Sequence, residues 1–328
     1  MSLAPLPQRS STTKKQYHQV NPSDGFPGSG EYGTGDPSES SVGELTPKPE
    51  PAPIESELQR GKVAIVTGGG WNIGRAIALK LATEGARVII TSRNGDNLEM
   101  TAAQAHCKDL YIRPIVADLT KPEDVHRMIG DVLGEEGPPD ILACMAGGFG
   151  CGVPIVDSDP LEWRDVLLRN LYTTYLSCRA VLPSMLERQR GDILTCAGGG
   201  AFFPMVGVNA TAYASAKAGI CRFTDQLYVE VMDMPAIRVN CMEPGMTWSP
   251  KDLERIVEEE RAQGRPHPLR EMNHPPEDGA RLACFLLSPG ARLLNGRILS
   301  VDEDWWLDPV KVKQVSETDL YRLRRTFA

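Results

Sequence analysis

The sequence predicts an α/β fold: one doubly wound, parallel, seven-stranded sheet with helices on both of its faces. Three observations predict it. From residue 61 to residue 304, short strand-like runs alternate with longer segments of helical periodicity. The strand-like runs are almost continuously apolar, as strands buried on both faces are. A glycine-rich turn joins the first run to the first helix, and no internal repeat or second domain interrupts the alternation.

The first half of the alternation contains four predicted strands and three helices. The strands are the runs KVAIVTG, RVIITSR, YIRPIVADLT and DILACMAG, which begin at Lys62, Arg87, Tyr111 and Asp140. The helices are predicted in NIGRAIALKLATEGA, DNLEMTAAQAHC and KPEDVHRMIGDVLGEE. Pro122 is typical of a first helical turn, where the N–H that proline lacks has no partner in any case.

The second half begins with a long helix predicted over about residues 160–188, which Pro183 kinks or locally ends. Strands are predicted in GDILTCAG, AIRVNCMEPG and GRILSVDED, and helices over about residues 211–232 and in PEDGARLACFLLS. Residues 246–275 interrupt this pattern with TWSP and the charged helical stretch KDLERIVEEERAQG. Because ligands of α/β sheets bind at the carboxyl ends of strands, we interpret residues 246–275 as a substrate-loop insertion.

The composition argues against several classes of protein. The 328 residues carry a net charge of −8 and no basic stripe, so no nucleic-acid partner is expected. No run of about 18 apolar residues and no secretory signal is found, so no membrane association is expected. The eight cysteines form no Cys-x-x-Cys pair and several lie in apolar runs, which indicates reduced thiols and a cytoplasmic location. The spacing of cysteines and histidines matches no zinc pattern, so no metal is expected.

Two extensions flank the predicted domain, which covers residues 58–304. Residues 1–57 are rich in proline, glycine and serine and are predicted to be flexible, or to form an arm that orders against a partner subunit. Acidic residues scattered through that segment argue against a transit peptide. Residues 305–328 form a C-terminal extension, in which Trp305 and Trp306 are interpreted as covering a pocket or packing on a neighbouring subunit.

The motif TGGGWNIG, from Thr67 to Gly74, predicts a dinucleotide site. Its glycines let the backbone approach a pyrophosphate, and the following helix offers free N–H groups. A tight turn without a ligand is the simpler alternative. The second strand ends in Ser92 and Arg93, where an NAD-selective site carries an acidic residue. Because Arg93 can pair with a 2′-phosphate, NADP(H) is predicted over NAD(H), unless Arg93 is only a solvated surface residue.

The motif YASAK predicts an acid/base pair. Tyr213 and Lys217 stand four residues apart, so they project from one face of a helix. An ammonium beside a phenol lowers the tyrosine pKa, and such a tyrosine exchanges a proton with a ketone or alcohol. Alone, this spacing is common on amphipathic helices. Its position after a fifth parallel strand, in a chain with a dinucleotide turn, favours a functional pair.

On these motifs the chain resembles a short-chain dehydrogenase/reductase over about residues 61–304. The resemblance also rests on Ala117-Asp118, DILACMAG, Asn170 in WRDVLLRN, RVNCMEPG and GRILSVD. It implies that Tyr213 is the acid/base, that Lys217 binds the nicotinamide ribose, and that Asn170 holds a water in the proton relay. The cofactor-binding positions that it implies are Thr67, Gly68, Gly70, Asn72, Ile73, Gly74, Ser92, Arg93, Asp118, Leu119, Ala146, Gly147, Tyr213, Lys217, Pro244 and Gly245.

Three departures from the family pattern affect support of the site. Asn72 replaces the second turn glycine; asparagine tolerates left-handed backbone, so binding is expected to survive. Cys144 and Met145 replace the two asparagines that usually precede Ala-Gly. The usual Asp-Gly-Gly after the last strand is replaced by Asp302, Glu303 and Asp304. These carboxylates are interpreted as a salt-bridged or solvated strand end, or as a site for a cationic group.

The fourth departure lies in CAGGGAFFP, residues 196–204. The resemblance implies a serine at the end of the fifth strand, and Gly198 or a neighbouring glycine takes its place. The hydroxyl of that serine holds the substrate carbonyl in the family. Its possible replacements here are a substrate hydroxyl, a bound water, Thr195, Asn209 or Thr211. The predicted substrate-contacting residues are Gly198, Gly199, Phe202 and Phe203, although the two phenylalanines are equally compatible with core positions.

The function favoured by these observations is an NADP(H)-dependent oxidoreductase that interconverts a ketone and a secondary alcohol. One alternative is an epimerase or dehydratase that acts on a sugar-like or natural-product substrate. Another is a cofactor-binding regulatory protein with little turnover. The expected partner is a small-molecule substrate, and the resemblance implies a homodimer or homotetramer.

Overall fold

The structure is a computed structural model and describes residues 57–150, 152–205, 208–267, 270 and 272–324. The predicted N-terminal extension therefore lies outside the described residues, except for Glu57. The seven predicted strands form one parallel sheet in the order β3-β2-β1-β4-β5-β6-β7, which confirms the predicted fold class. The strands are β1 Val63–Thr67, β2 Arg87–Ser92, β3 Ile112–Val116, β4 Ile141–Cys144, β5 Gly191–Cys196, β6 Ile237–Glu243 and β7 Ile298–Ser300.

Helices cover both faces of this sheet, as the alternation predicted. They are α1 Asn72–Thr83, α2 Gly95–His106, α3 Pro122–Glu135, α4 Pro160–Leu167, α5 Thr173–Arg188, α6 Thr211–Val231, α7 Pro250–Gln263, α8 Pro276–Leu286 and α9 Pro309–Ser316. The central strands β1 and β4 are buried at every position, so their continuous apolar runs reflect burial on two faces. One core lies between the sheet and α1 and α8, and a second lies between the sheet and α3, α5 and α6.

The long helix predicted over residues 160–188 is interrupted at a different place from the one expected. A π-helical turn, Leu168–Tyr172, separates α4 from α5, whereas α5 continues through Pro183. The prediction that Pro183 locally ends the helix is therefore wrong, while a kink at Pro183 stays a prediction. Pro183 and Arg179, whose carbonyl loses its helical partner, both face solvent, where water can satisfy that carbonyl.

The insertion at residues 246–275 leaves and rejoins the domain at one point. Met246 forms an isolated parallel bridge with Asn273, and the His274 N–H donates to the Met246 carbonyl at 2.8 Å. The Asn273 side chain also accepts from the Trp248 N–H at 3.0 Å. These contacts hold the base of the insertion beside the carboxyl end of β6, where the sequence placed it.

The C-terminal extension packs on the chain's own core. Trp305 and Trp306 are buried, and their rings contact Tyr321 and Phe285 with centroid separations of 4.7 and 5.0 Å. The interpretation that these tryptophans cover a pocket or contact another subunit is wrong for the described residues, because their apolar area is buried within this chain. The Ile298 N–H of the edge strand β7 also donates to the Tyr321 carbonyl at 2.8 Å.

Candidate active site

The TGGGWNIG turn brings backbone so close to backbone that side chains are excluded. A β-carbon on Gly74 would lie 2.3 Å from the Gly68 carbonyl oxygen. Gly68 itself has φ +67°, and a β-carbon there would lie 2.8 Å from the Met145 carbonyl oxygen. Asn72 adopts φ 46°, as the sequence predicted for a left-handed asparagine, and its buried Oδ1 accepts no hydrogen bond from the described residues. This closely packed backbone cradle opens α1, whose first N–H groups have no intrahelical partner, and so it fits a dinucleotide pyrophosphate.

Two residues at this turn were missed by the sequence analysis. Arg75, which directly follows it, donates to the Gly70 carbonyl at 2.7 Å and to Thr101 Oγ1 at 3.0 Å, so it holds the turn against α2. The Trp71 ring is 46% exposed and lies 5.4 Å from the Arg75 guanidinium. A tryptophan beside a glycine turn carries no sequence signal of its own. Ile73, by contrast, packs on Gly279 of α8, where an added β-carbon would lie 3.2 Å away.

The loop after β4 joins the turn to the helix that carries Asn170. Thr67 Oγ1 accepts the Ala146 N–H at 3.1 Å. A β-carbon on Gly147 would lie 2.5 Å from Asn170 Oδ1 and 3.8 Å from Lys217 Nζ. The structure therefore brings Thr67, Ala146 and Gly147 together with the predicted acid/base residues, although they are far apart in sequence.

Arg93 and Asp118 stand at the carboxyl ends of neighbouring strands. Among the described residues, the exposed Arg93 guanidinium makes no hydrogen bond or ion pair. Burial alone would raise the pKa of Asp118, but hydrogen bonds from Thr120 outweigh it and hold that pKa below its ordinary value, with Arg93 contributing. Ser92 Oγ donates to the Asn94 carbonyl, and Leu119 is buried in the core. Arg93 thus projects a free cation from this edge of the sheet.

Tyr213 and Lys217 lie on one face of α6, as predicted. Lys217 is buried, its Nζ donates to the Cys196 carbonyl at 3.0 Å, and it lies 5.6 Å from the centre of the Tyr213 ring. Burial raises the pKa of Tyr213 more than Lys217 lowers it. The expectation of a lowered tyrosine pKa is therefore wrong for the protein without ligand, and the phenol is protonated at neutral pH.

Asn170 lies in the π-helical turn and is fully buried. Its Nδ2 donates to the carbonyls of Gly148 and Val166, both at 2.9 Å, and its Oδ1 accepts the Gly148 N–H at 3.2 Å. These bonds use the side-chain amide to hold the loop after β4 in place. A π-turn that points an asparagine at a loop beside the Tyr213–Lys217 pair is a common mark of a functional position.

Gly198 lies beside the tyrosine hydroxyl. A β-carbon at Gly198 would lie 2.7 Å from Tyr213 Oη, so this glycine stands next to the predicted acid/base residue. Thr195 does not replace the missing hydroxyl, because its Oγ1 is buried against Thr224 Oγ1 at 2.6 Å. Thr211 accepts the Trp163 Nε1–H at 3.2 Å, and with Asn209 and Tyr213 it lines a shallow surface cleft.

The aromatic residues around the site differ from those expected. Phe202 and Phe203 are 39% and 77% exposed, so they are not core residues, and Gly199 lies beside Met205. The ring that contacts Tyr213 belongs instead to Phe149, with centroids 5.2 Å apart. Phe149 lies in the loop after β4, and only the fold shows that this loop reaches α6. The exposed phenylalanines remain a candidate apolar rim at the carboxyl edge of the sheet.

The carboxyl end of β6 closes the other side of the site. Gly245 has φ +67°, and a β-carbon there would lie 2.5 Å from His274 Cδ2. His274 in turn forms a hydrogen bond with Asp302 at 2.9 Å, and Glu303 accepts the Trp305 Nε1–H at 3.2 Å, so two of the three carboxylates at the strand end have partners within the chain. Pro244 is buried under α8, and the residue before it, Glu243, was missed by the sequence analysis.

Glu243 is a partly buried carboxyl whose side chain makes no hydrogen bond or ion pair among the described residues. Burial, with the nearby charges of Asp302 and Glu303, raises its pKa to about 7. The signal that could have identified it is an acidic residue directly before the Pro-Gly that ends a buried strand. Such a carboxyl changes charge near neutral pH.

Elsewhere in the described residues, no group of histidines, cysteines and carboxylates could hold a metal ion. Six of the described cysteines are buried and free, Cys107 is free and exposed, and Cys151 lies outside the described residues. A search of the described helices found none that is both long and apolar enough to span a membrane.

Comparison with known proteins agrees with this geometry. A family model described as short chain dehydrogenase matches residues 62–259. Dehydrogenase/reductase SDR family member 4 from Sus scrofa is 31% identical over 248 residues, which are 73% of this chain and 85% of that protein.

Solved structures resemble the chain over a similar length. A short-chain dehydrogenase/reductase from Burkholderia xenovorans superposes with a TM-score of 0.67 at 30% identity, covering 74% of this chain and 96% of that one. The actinorhodin polyketide ketoreductase with NADPH superposes with a TM-score of 0.66 at 25% identity, covering 75% of this chain and 97% of that one.

Proposed function

Because the chain belongs to the short-chain dehydrogenase family, we propose that it is an NADP(H)-dependent oxidoreductase that interconverts a ketone and a secondary alcohol. The observation that supports this most directly is the cluster at the carboxyl edge of the sheet. There the Tyr213 hydroxyl lies against Gly198, and Lys217 lies behind it. The cluster faces the loop that joins the glycine turn to Asn170.

The residues of the turn fit a dinucleotide. Gly68, Gly70 and Gly74 lie where the turn leads into α1, and the first N–H groups of that helix can bind the anionic pyrophosphate. The positions implied for the nicotinamide follow β4 and β6 at the carboxyl edge of the sheet, and they are Ala146, Gly147, Pro244 and Gly245. When bound, the nicotinamide supplies or accepts a hydride. The free Arg93 supports a 2′-phosphate, and the related ketoreductase with NADPH supports the same choice.

The chain's own residues then hold and transfer the proton. In reduction, Tyr213 Oη donates its proton to the substrate oxygen, and in oxidation it accepts one. The raised pKa of Tyr213 keeps the phenol protonated at neutral pH, which favours the reduction direction. Lys217 stabilises the phenolate that forms, because its ammonium is buried and held by the Cys196 carbonyl. Asn170 positions the loop around the reacting groups.

The test is consumption of NADPH with a panel of ketones, followed at the nicotinamide absorbance. We expect Tyr213→Phe to lower kcat by at least about 100-fold, since it removes the proton donor. The affinity for NADPH, measured by fluorescence, should change little. Retention of most of the rate in Tyr213→Phe would show that the proton comes from another group.

One observation favours a second candidate. Gly198 provides no hydroxyl to hold a substrate, and losing one positioned donor costs about 10²–10³ in rate when nothing replaces it. A cofactor-binding regulatory protein with little turnover is consistent with that loss. Tight NADPH binding without consumption of any ketone, or with rates that Tyr213→Phe does not alter, would favour this candidate.

A further inference from the structure

The α6 helix lies over β5 and β6 in a regular series of contacts. Thr224 meets Thr195, and one turn earlier Cys221 meets Cys241. A further turn earlier, Lys217 meets the Cys196 carbonyl. The last contact in the series is Tyr213 with Gly198.

Glu243 is the last residue of β6 and lies at the Tyr213 end of this series. It is two residues beyond Cys241 on the same strand, so strand alternation places both side chains on the face that α6 covers. Cys196 pairs with Met242, and the Ala197 N–H donates to the Met242 carbonyl at 2.8 Å, so Glu243 lies beside Ala197. Neighbouring strands are about 4.8 Å apart. That separation brings the carboxyl of Glu243 within side-chain reach of Gly198 and the tyrosine hydroxyl.

The electrostatics agree with this placement. The charge of Glu243 raises the pKa of Tyr213, of Cys196 and of Cys221, as a carboxylate at this end of α6 would. Within the described part of the chain nothing pairs with it, and glycines occupy residues 198–200 opposite. An unpaired, partly buried carboxyl beside an acid/base residue is costly unless a ligand uses it.

We propose that Glu243 is a catalytic residue that contacts the substrate: its protonated carboxyl donates a hydrogen bond to the same substrate oxygen that Tyr213 protonates. This inference rests on the proposed function. Tyr213 alone transfers a proton, and Glu243 keeps its own. The hydrogen bond takes the place of a hydroxyl that Gly198 does not have. Above its pKa of about 7, Glu243 is ionised and repels the negative charge that develops on that oxygen.

Several charged or titratable groups set this protonation. Asp302 and Glu303 at the end of β7 favour the neutral form of Glu243. The other groups that face the site are Tyr213 and Lys217 from α6, Cys196 from β5, Cys241 from β6, and His274, which is paired with Asp302. Lys217 stays 3.0 Å from the Cys196 carbonyl and makes no ion pair with Glu243.

The activity test compares Glu243→Ala and Glu243→Gln, with Glu187→Gln on the exposed face of α5 as a control. The probes are ethyl acetoacetate, cyclohexanone and 9,10-phenanthrenequinone with NADPH. We expect Glu243→Ala to lower kcat by at least about 10-fold at pH 6. Glu243→Gln keeps a donor, so we expect a smaller loss and no decline in kcat between pH 6 and pH 8. Wild type and Glu187→Gln should both show that decline.

A stability measurement provides a readout that needs no substrate. A carboxyl whose pKa is raised on folding stabilises the fold below its unfolded value of about 4.5, and that contribution is lost as the pH rises through about 7. Glu243→Gln should therefore raise Tm relative to wild type at pH 8 and change it little at pH 5. Equal shifts at both pH values would overturn the placement of Glu243.

The outcomes distinguish failure of this inference from failure of the proposed function on which it rests. A wild-type protein that reduces none of the probes removes both proposals. Loss of turnover in Tyr213→Phe together with full turnover in Glu243→Ala overturns only the role of Glu243. Equal losses in Glu243→Gln and Glu243→Ala would also overturn it, because the site would then need the negative charge rather than the donated hydrogen bond.

Discussion

At the scale of single residues, the sequence was most informative where spacing alone fixes geometry. Tyr213 and Lys217 share a helix face because they are four residues apart, and no tertiary information was needed. Phe149 and Glu243 were missed because their roles depend on contacts between segments distant in sequence. The same limit applies to the tyrosine pKa, since burial, which the motif does not reveal, outweighs the effect of the lysine.

Arg93 determines a prediction about the cofactor. Because its guanidinium is exposed and unpaired in the described structure, it is available for a 2′-phosphate. We expect Arg93→Ala to lower the ratio of kcat/KM with NADPH to that with NADH by at least about 10-fold, the loss of one charge-assisted contact. Steady-state kinetics with both cofactors measures this ratio.

The matched control for that measurement is Arg292→Ala. Arg292 is an exposed arginine in the segment between α8 and β7. It should leave the ratio where it is in wild type. A ratio that Arg93→Ala also leaves unchanged would show that the arginine is a solvated surface residue and that NADP(H) preference, if present, comes from elsewhere.

At the scale of elements, apolar runs and helical periodicity predicted every strand of the sheet, because burial on two faces leaves a continuous pattern. Interruptions were harder to predict. The π-helical turn at residues 168–172 contains no proline or glycine that would predict it. Pro183 did predict an interruption, yet α5 continues through that residue. The short helix α9 was also missed, since it packs on the turn at residues 305–307, whose placement the sequence does not reveal.

Two glycine substitutions distinguish a functional turn from an ordinary helix. In α3, a β-carbon on Gly130 meets nothing within 4 Å, so Gly130→Ala should raise the free energy of unfolding by about 0.5–1 kcal/mol. In α1, a β-carbon on Gly74 would lie 2.3 Å from the Gly68 carbonyl oxygen. Because the turn must shift to make room for it, Gly74→Ala should lower both Tm and NADPH affinity. Thermal melts and cofactor titrations measure the pair; a stabilised Gly74→Ala would contradict the backbone cradle.

At the scale of the whole molecule, the C-terminal extension is part of the fold. Arg297 is only 2% exposed and donates to the carbonyls of Ser316, Thr318 and Leu320, so one cation holds three backbone carbonyls of the tail. Burial lowers its pKa to about 10, which leaves it charged at neutral pH. The sequence did not reveal this, because backbone carbonyls have no side-chain signature.

Replacing Arg297 tests that arrangement. Arg297→Leu leaves three carbonyls without a donor, so the free energy of unfolding should fall by about 2–4 kcal/mol. Limited proteolysis should then cleave within residues 305–324 before the rest of the domain. Arg292→Leu serves as the exposed control. Unaltered protection of the tail in Arg297→Leu would mean that the buried tryptophans alone hold it.

The bond between Ile298 and Tyr321 has a consequence for self-association. An edge strand with unpaired backbone groups is a template on which other chains add strands. Here the tail occupies that template at β7, while Pro114 removes a donor from β3 at the opposite border of the sheet. Cleavage before residue 305 would expose the β7 template, and the shortened protein should aggregate at concentrations where the intact chain stays dispersed.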